Sequence, residues 1–252
     1  MLIAQISDTH ILARSADEAA GASRAGNLRQ CVADINRQAV DAVIHTGDSV
    51  QHGLAAEYAH LREILAGLRA PLYLVPGNRD RREELRRAFG HLSYLPLDGD
   101  FLHYAVEDHP VRLVAIDSVS AGDRKGHFCA RRRAWLDETL ARKPGKPTIL
   151  FLHHPPFDVS QHRYMGGYRN PDEASELAAL VGRNPQVAGL FCGHVHALHQ
   201  QPWAGTAATI MPSVAVDLRF GAGSAANLEP SYLLHTISRD GEVTSKVQGT
   251  NG

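Results

Sequence analysis

The sequence is poor in cysteine and in net charge. Its 252 residues include three cysteines, Cys31, Cys129 and Cys192, with no CxxC pair. Neither a disulfide framework nor a thiolate zinc site is therefore indicated, and a reducing compartment is favoured. The formal net charge is −1, which gives no electrostatic basis for binding nucleic acid or an acidic membrane. Recognition by overall charge is thus excluded.

Long hydrophobic runs are also missing. No run approaches the ~20 apolar residues of a membrane-spanning helix, and the opening MLIAQISDTHILARS has no cationic lead or cleavage signature for export. We expect a cytoplasmic protein without membrane contact. Because no Pro/Gly/Ser-rich linker divides the chain, residues 1–252 are expected to form a single domain, which includes the strand-rich region 205–252.

The chain alternates short apolar runs with longer amphipathic stretches. This order is typical of βαβ units and predicts an α/β fold with a largely parallel or mixed sheet. After residue 205 the pattern indicates strands. Strands are predicted at 2–6, 41–47, 71–77, 148–154 and 188–194, an antiparallel pair at 101–108 and 111–118, and helices at 27–39, 55–68, 79–90, 130–143 and 171–184.

Histidine is abundant, with 15 residues, and several of them follow the ends of predicted strands. Ligand sites of α/β sheets gather beyond the carboxyl ends of their strands. We therefore expect the polar clusters at these ends to share one crevice. The clusters are Ser7-Asp8-Thr9-His10, Gly47-Asp48, Gly77-Asn78, His153-His154-Pro155 and Gly193-His194-Val195-His196.

Carboxylates and imidazoles that meet in one crevice predict a metal site. Burying them together is costly unless a cation neutralises them, and mixed nitrogen and oxygen ligands suit divalent Zn, Fe or Mn. About seven ligands exceed what one ion takes, so two ions that share a bridging carboxylate are predicted, ~3.5–4 Å apart. If the backbone is extended from Asp8 to His10, both side chains can lean toward one ion.

Five motifs, DTH, GDSV, GNRD, HHPP and GHVH, occur in this order. Together they resemble the calcineurin-like metallophosphoesterase superfamily, and within it the class III cyclic nucleotide phosphodiesterases and the bacterial glycerophosphodiesterases. The resemblance covers residues 1–215. It implies a four-layer αββα sandwich with mixed sheets, a small phosphodiester substrate, and a homodimer or higher homo-oligomer.

The resemblance also implies how the ligands are shared between two divalent ions, Mn²⁺, Fe²⁺/Fe³⁺ or Zn²⁺, which activate water so that no protein nucleophile is required. Asp48 would bridge the ions. In the HHPP motif the family's ligand is the histidine two residues before the first proline, which selects His153. The first ion would be held by Asp8, His10 and His196, and the second by Asn78, His153 and His194.

Arg79 departs from the family pattern, which reads Gly-Asn-His-Asp and places its histidine near the attacked phosphate. A guanidinium with a pKa above ~12 cannot act as an ordinary proton donor, although it can clamp phosphoryl oxygens. The leaving group would then need a proton from water, His154 or His52, or none at all. Strained 2′,3′-cyclic or activated diesters are favoured. The alternative is a surface ion pair between Arg79 and Glu83.

The catalytic candidates are therefore Asn78, as both ligand and phosphate contact, with Arg79 and His154. Substrate specificity is expected in loop 158–171, where Arg163, Tyr164 and Tyr168 are predicted to bind the substrate; the loop could instead pack against a neighbouring subunit. In a second loop, 119–128, His127 either faces the site or caps the helix that follows.

Two rival functions belong to other classes. A nuclease would need a basic groove, which the near-neutral charge does not offer. A metal-free scaffold of the same fold would explain the arginine in the GNRD motif, but every proposed ligand is retained. The sequence therefore favours a phosphodiesterase of small molecules.

Overall fold

A computed structural model describes residues 1–20, 24–159, 167–219 and 229–250. Within these ranges the chain forms eleven strands and six α-helices. The strands are Leu2–Ile6 (β1), Ala42–His45 (β2), Leu72–Leu74 (β3), Tyr104–Val106 (β4), Arg112–Ala115 (β5), Thr148–Phe151 (β6), Val187–Cys192 (β7), His199–Trp203 (β8), Thr206–Ile210 (β9), Ser231–Ile237 (β10) and Val243–Gly249 (β11). The helices are Arg14–Ala20 (α1), Arg24–Ile35 (α2), Ala55–Leu65 (α3), Arg82–Phe89 (α4), Ala130–Ala141 (α5) and Pro171–Gly182 (α6).

The first sheet has the order β11-β10-β1-β2-β3. Strands β1, β2 and β3 run parallel, with Ile3 opposite Ala42 and Val43 opposite Leu72. Strand β10 joins antiparallel to β1, and β11 joins antiparallel to β10. The C-terminal strands therefore belong to the same sheet as the N-terminal strand, next to the loop that follows β1.

The second sheet has the order β4-β5-β6-β7-β9-β8. Its centre is parallel, while β4 and β8 lie antiparallel at the two edges. The antiparallel pair predicted at 101–118 is confirmed as β4 and β5. Both sheets are thus mixed, as the sequence predicted.

The sheets pack face to face with helices on both outer surfaces. Along β6 the side chains alternate: Ile149 and Phe151 belong to the core between the sheets, whereas Leu150 belongs to the core beneath α5 and α6. Helices α2, α3 and α4 cover the first sheet. This confirms the four-layer arrangement, and each fully buried side chain of this size stabilises it by ~1.5–3 kcal/mol. In the described part of the chain, every helix is too short or too polar to cross a bilayer.

Three described elements were not predicted, one of them a short 3-10 helix, Val216–Leu218, in the region after residue 205 where strands were expected. Helix α1 has seven residues, RSADEAA, which are too few to show an apolar stripe. Strand β8, HQQPW, contains two glutamines and Pro202 and is only partly buried. Proline is tolerated there because β8 is an edge strand with one side unpaired.

Candidate metal centre

The candidate ligands lie where parallel strands of both sheets end. The loops after β1 and β2 run side by side: the Asp8 N–H donates to the Gly47 carbonyl (2.9 Å) and the His10 N–H to the Asp48 carbonyl (3.0 Å). In the second sheet, the Gly193 N–H donates to the His153 carbonyl (3.1 Å). Backbone pairing therefore continues past the strands and holds the polar clusters in register.

The backbone turns sharply at these positions. Seven non-glycine residues in the described part of the chain have positive φ, and five of them are candidate ligands. The five are Asp8 (51°), His10 (44°), Asp48 (50°), His194 (74°) and His196 (59°). The backbone from Asp8 to His10 is thus left-handed at both residues and not extended. Such strain persists where the surrounding structure enforces it, and it clusters at functional sites.

Two motif glycines permit the close approach of the loops. A Cβ on Gly77 would lie 2.1 Å from the backbone nitrogen of Asp48, and one on Gly193 would lie 2.1 Å from the Ser7 hydroxyl oxygen and 2.6 Å from a carboxylate oxygen of Asp8. Any side chain would therefore displace a candidate ligand. This gives a physical reason for glycine before Asn78 and before His194.

A first group of four side chains can present ligand atoms within 4.8 Å of one another: Asp8, His10, Asp48 and His196. The His196 Nε2 atom lies 3.2 Å from Asp8 Oδ1, and His10 Nε2 lies 3.6 Å from Asp48 Oδ2. The two imidazole Nε2 atoms are themselves 3.2 Å apart. Two carboxylates and two imidazoles thus converge on one point.

A second group lies beside the first. His194 Nδ1 is 3.2 Å from His153 Nε2, which is 3.2 Å from Asn78 Oδ1. Asp48 reaches both groups, because its Oδ1 atom lies 3.5 Å from His153 Nε2 while its Oδ2 atom faces His10. One carboxylate is therefore placed between the two groups, as a bridge requires.

The Nδ1 atoms of three candidate ligands have hydrogen-bond partners outside the two groups, and these partners show where the imidazole lone pairs point. His10 Nδ1 lies 3.1 Å from Gln51 Oε1, His196 Nδ1 lies 2.9 Å from the Leu218 carbonyl, and His153 Nδ1 lies 2.8 Å from the Thr46 carbonyl. Because these oxygens only accept, each Nδ1 carries a proton, and in the neutral ring each Nε2 carries a lone pair.

Facing lone pairs repel each other unless a positive charge lies between them. The Nε2 atoms of His10 and His196 are 3.2 Å apart, and in the neutral rings both are acceptors. A cation between them would turn this repulsion into coordination. The residues present therefore fit a metal in the first group, and the contact of His194 Nδ1 with His153 Nε2 gives a similar fit in the second.

The carboxylates point to the same conclusion. Burial raises the pKa of Asp48 to about 7, with His153 opposing the rise and Asp8 and Asp80 adding to it. Burial would also raise the pKa of Asp8, but the neighbouring imidazoles, His196 first among them, bring it below its ordinary value. A divalent cation would hold both carboxylates ionised.

Two of the candidate imidazoles, His10 and His194, are in the neutral state that metal binding needs. Burial lowers the pKa of His10 to about 3, and burial likewise lowers the pKa of His194 to about 3. Both rings are therefore neutral at pH 7. Burial alone would lower the pKa of His196, but the Asp8 carboxylate raises it above its ordinary value. A bound cation would compete with that proton for the same nitrogen.

A cavity of about 970 Å³ opens beside the second group and is lined in part by Gln51, His52, Asn78 and Arg79. The Arg79 N–H donates to Asp48 Oδ1 (2.7 Å), so this residue is adjacent to the bridging carboxylate. In helix α4, which follows Arg79, the structure describes ion pairs of Arg82 with Asp117 and of Arg87 with Glu84. No described ion pair joins Arg79 to Glu83. The surface-pair alternative therefore lacks support.

Comparison with known proteins agrees with this geometry. The family model described as calcineurin-like phosphoesterase matches residues 1–198. The chain belongs to this family. A probable glycerophosphodiester phosphodiesterase GpdQ of Arcobacter nitrofigilis is 33% identical over 97% of this chain and 92% of its own length. A probable cyclic nucleotide phosphodiesterase of Rhodopseudomonas palustris is 34% identical over 90% of this chain and 83% of its own.

A solved structure shares the fold. The dimetal phosphatase from Danio rerio superposes with a TM-score of 0.76 at 14% identity, covering 100% of this chain and 96% of that one. At this identity the likeness concerns the fold alone. It agrees with the two helix-covered mixed sheets described above.

In this calcineurin-like phosphoesterase, both ring nitrogens of His154 already have partners. Nε2 lies 3.1 Å from the Arg124 carbonyl, and Nδ1 lies 2.9 Å from the Ser118 hydroxyl. A carbonyl only accepts, so Nε2 carries the proton and Nδ1 accepts from Ser118. Burial also lowers the pKa of His154 well below its usual value. This geometry does not favour His154 as a proton donor to the leaving group, and it supports the choice of His153 as the ligand.

Of the three predicted substrate residues, Tyr168 is the one that lies within the described part of the chain. Arg163 and Tyr164 lie outside the described residues of the phosphoesterase. Tyr168 is 5% exposed and packs in the core beneath α5 and α6, which does not favour base stacking. His127 Nδ1 pairs with Glu173 of helix α6 at 2.8 Å and is not among the described residues that line the cavity.

Sequence reasoning missed the residues that hold the ligand loops. Asp80 accepts from the Ser49 N–H (3.0 Å), the Gly77 N–H (2.9 Å) and the Tyr58 hydroxyl (2.9 Å), and so joins the loops after β2 and β3. Asp80 is the last residue of the GNRD motif, so the motif itself could have indicated that this carboxylate has a role near the ligands. Arg24 contacts the loop of His10, but nothing local in the sequence indicated this.

Proposed function

We propose that this protein is a binuclear metal-dependent phosphodiesterase that hydrolyses small phosphodiesters, most of all cyclic nucleotides. The observation that supports it best is the pair of facing imidazole nitrogens, His10 with His196 and His153 with His194, on either side of Asp48. A cytoplasmic location and a homodimer remain parts of this proposal.

The residues would divide between two divalent ions as the resemblance implied. When bound, the pair of Mn, Fe or Zn ions would supply the Lewis acidity that makes water nucleophilic near pH 7. The carbonyls of Thr46 and Leu218 keep the rings of His153 and His196 in the tautomer that offers Nε2. The first ion would be held by Asp8, His10 and His196, the second by Asn78, His153 and His194, with Asp48 shared.

The substrate would enter through the cavity beside Asn78 and Arg79. Its volume of about 970 Å³ accommodates a ligand of nucleotide size. The Arg79 guanidinium would bind the phosphoryl oxygens in a fork, and Asn78 would contact the same group. The relatives are named for cyclic nucleotides and for glycerophosphodiesters, so glycerophosphodiesters are the second candidate substrate class.

Removing and restoring metal tests the proposal. The metal-free protein is reconstituted separately with Mn²⁺, Fe²⁺ and Zn²⁺ and assayed on bis-p-nitrophenyl phosphate, 3′,5′-cyclic AMP, 2′,3′-cyclic AMP and a glycerophosphodiester. We expect activity to require metal, two ions bound per chain, and at least one natural diester hydrolysed. Protein that binds no metal and gains no activity would support the scaffold instead, and salt-sensitive DNA cleavage would support the nuclease.

A matched pair of variants tests in the same experiment whether Asp48 is the bridging ligand. Asp48→Asn should reduce bound metal below two ions per chain and lower activity by about 10²-fold or more, because a bridging ligand serves both ions. Asp98→Asn is the control, since Asp98 is an exposed carboxylate that belongs to neither group of candidate ligands. Equal metal content in both variants would remove Asp48 from the centre.

A further inference from the structure

Because Arg79 stands where the family pattern has a histidine, the departing oxygen of a diester has no obvious proton donor. An arginine stays protonated throughout the reaction, and both ring nitrogens of His154 are bonded to other groups. Among the described residues that line the cavity with Asn78 and Arg79, His52 is the one histidine. The described lining of the cavity therefore contains one imidazole that could donate a proton.

The His52 ring is held by a buried carboxylate. His52 Nδ1 lies 2.8 Å from Glu57 Oε1, and the Glu57 side chain is 1% exposed. Glu57 Oε2 accepts the backbone N–H groups of His52 (2.9 Å) and Leu54 (3.1 Å), which fixes the carboxylate at the start of α3. The Nδ1–H bond to Glu57 leaves Nε2 as the nitrogen that can exchange a proton, and 57% of the His52 side chain is exposed.

A carboxylate that orients an imidazole is a recurrent arrangement for proton transfer. The carboxylate fixes the tautomer and stabilises the imidazolium, while the other nitrogen faces the reacting group. Here the ring belongs to the loop between β2 and α3, four residues after Asp48, and the loop is anchored by Glu57. The proposed donor and the bridging carboxylate Asp48 are thus carried by one short segment.

We propose that His52, oriented by Glu57, is the general acid of this enzyme. The inference depends on the proposed phosphodiesterase function and extends its substrates to unactivated alkyl diesters. As the oxygen of water bonds to phosphorus, the bond from phosphorus to the leaving oxygen breaks and its electron pair stays on that oxygen. The oxygen takes the proton of His52 Nε2 and leaves as an alcohol. The neutral imidazole is reprotonated by solvent, which also receives the proton lost by the attacking water.

The cavity lining carries four arginines and four carboxylates, so any attraction of an anionic substrate is local to the arginines. The carboxylate that contacts the His52 ring is Glu57, and the Arg81 side chain packs over Gly53, the next residue. A monoanionic diester would be attracted by the guanidinium groups. The charged residues that line the cavity are Arg79, Arg81, Arg82 and Arg86, with Asp80, Glu83, Glu84 and Asp100.

Leaving-group dependence tests this role in the metal-loaded enzyme. His52→Gln is compared with the unaltered protein on a glycerophosphodiester, whose leaving alkoxide needs a proton, and on bis-p-nitrophenyl phosphate, whose leaving group does not. We expect kcat on the alkyl diester to fall by about 10²-fold and kcat on the aryl diester to change by less than about 3-fold. Added imidazole should restore part of the alkyl activity of His52→Ala, because the position is open to solvent.

His127→Gln is the matched control, since His127 also pairs with a glutamate through Nδ1 but is not among the cavity-lining residues that the structure describes. Metal content should be unchanged in both variants. Equal losses on both substrates, or no loss on the alkyl diester, would overturn the role of His52. If the unaltered protein hydrolyses neither substrate with any metal, the proposed function fails first, so the two failures are distinguishable.

Discussion

In the proposed mechanism, Arg79 would replace one part of the chemistry that the resemblance assigns to the family's histidine. Its guanidinium can stabilise charge on phosphoryl oxygens but cannot donate a proton during the reaction. Its backbone N–H binds Asp48 Oδ1 at 2.7 Å, which places the residue at the edge of the metal centre. At the residue scale, the proposed mechanism therefore assigns charge stabilisation and proton donation to two different side chains, Arg79 and His52.

If the two roles are separate, substitution of Arg79 should lower activity on all diester substrates to a similar extent. Arg79→Ala should lower kcat/KM by about 10²-fold on aryl and alkyl diesters, because the lost interaction is with the phosphoryl group that both share. Steady-state kinetics on the two substrates measures this. Arg62→Ala, which removes an exposed arginine away from the cavity, is the control and should retain activity. A loss confined to alkyl diesters would show that Arg79 acts on the leaving group instead.

The candidate ligands were predictable from the sequence as residue types at strand ends, but their ring geometry was not. His153 and His154 are adjacent, yet one offers Nε2 to the crevice and the other uses both nitrogens on Ser118 and Arg124. The oxygens that decide this come from loops far away in the chain. The left-handed backbone at Asp8 and His10 likewise depends on pairing with the loop after β2.

At the scale of elements, helix α2 contributes to the centre through its first residue. The Arg24 guanidinium donates to the His10 carbonyl (3.2 Å) and to Gln51 Oε1 (2.9 Å), and it pairs with Asp217 (2.9 Å). Gln51 in turn accepts from His10 Nδ1. One side chain thus joins three loops behind the first group of ligands.

This arrangement predicts that Arg24→Gln weakens one metal site more than the other. The affinity of the first ion should fall by about 10-fold, because partners that orient ligands typically contribute 10- to 100-fold to metal affinity. Metal titration by calorimetry on the metal-free protein measures both sites. Arg37→Gln is the control, since Arg37 pairs with Asp34 just beyond the other end of α2. Equal weakening of both sites would argue against a local effect of Arg24.

The elements themselves were largely predictable, because their period and length are local properties. Helix α3, predicted at 55–68, is observed at Ala55–Leu65, and β4 and β5 pair as expected. Strand β8 was missed because its pairing with β9 provides its stability, while its own residues are polar. The order of the strands in each sheet depends on the whole fold, and no local sequence pattern indicates it.

For the whole molecule, a polar network connects the two sheets beneath the centre. His235 of β10 stacks on Phe191 of β7 with ring centroids 3.7 Å apart, and its Nε2 lies 2.9 Å from Gln5 Oε1. The Gln5 amide donates to the Thr46 hydroxyl and to the Cys192 carbonyl, both at 2.9 Å. A protonated imidazole at this depth would have no water around it.

This network predicts that acid destabilises the fold through His235. Burial lowers the pKa of His235 to about 3, whereas an unfolded histidine titrates near ~6.5. Below pH ~6.5 the unfolded chain binds the proton and the folded chain does not, so stability is lost as the pH falls toward about 3, at on the order of 1 kcal/mol per pH unit. Thermal unfolding of metal-free protein should therefore show a smaller drop in Tm between pH 7 and pH 5 for His235→Gln than for the unaltered chain, and exposed His91→Gln should match the unaltered drop. An equal drop in all three proteins would mean that His235 is protonated in the folded state as readily as in the unfolded one.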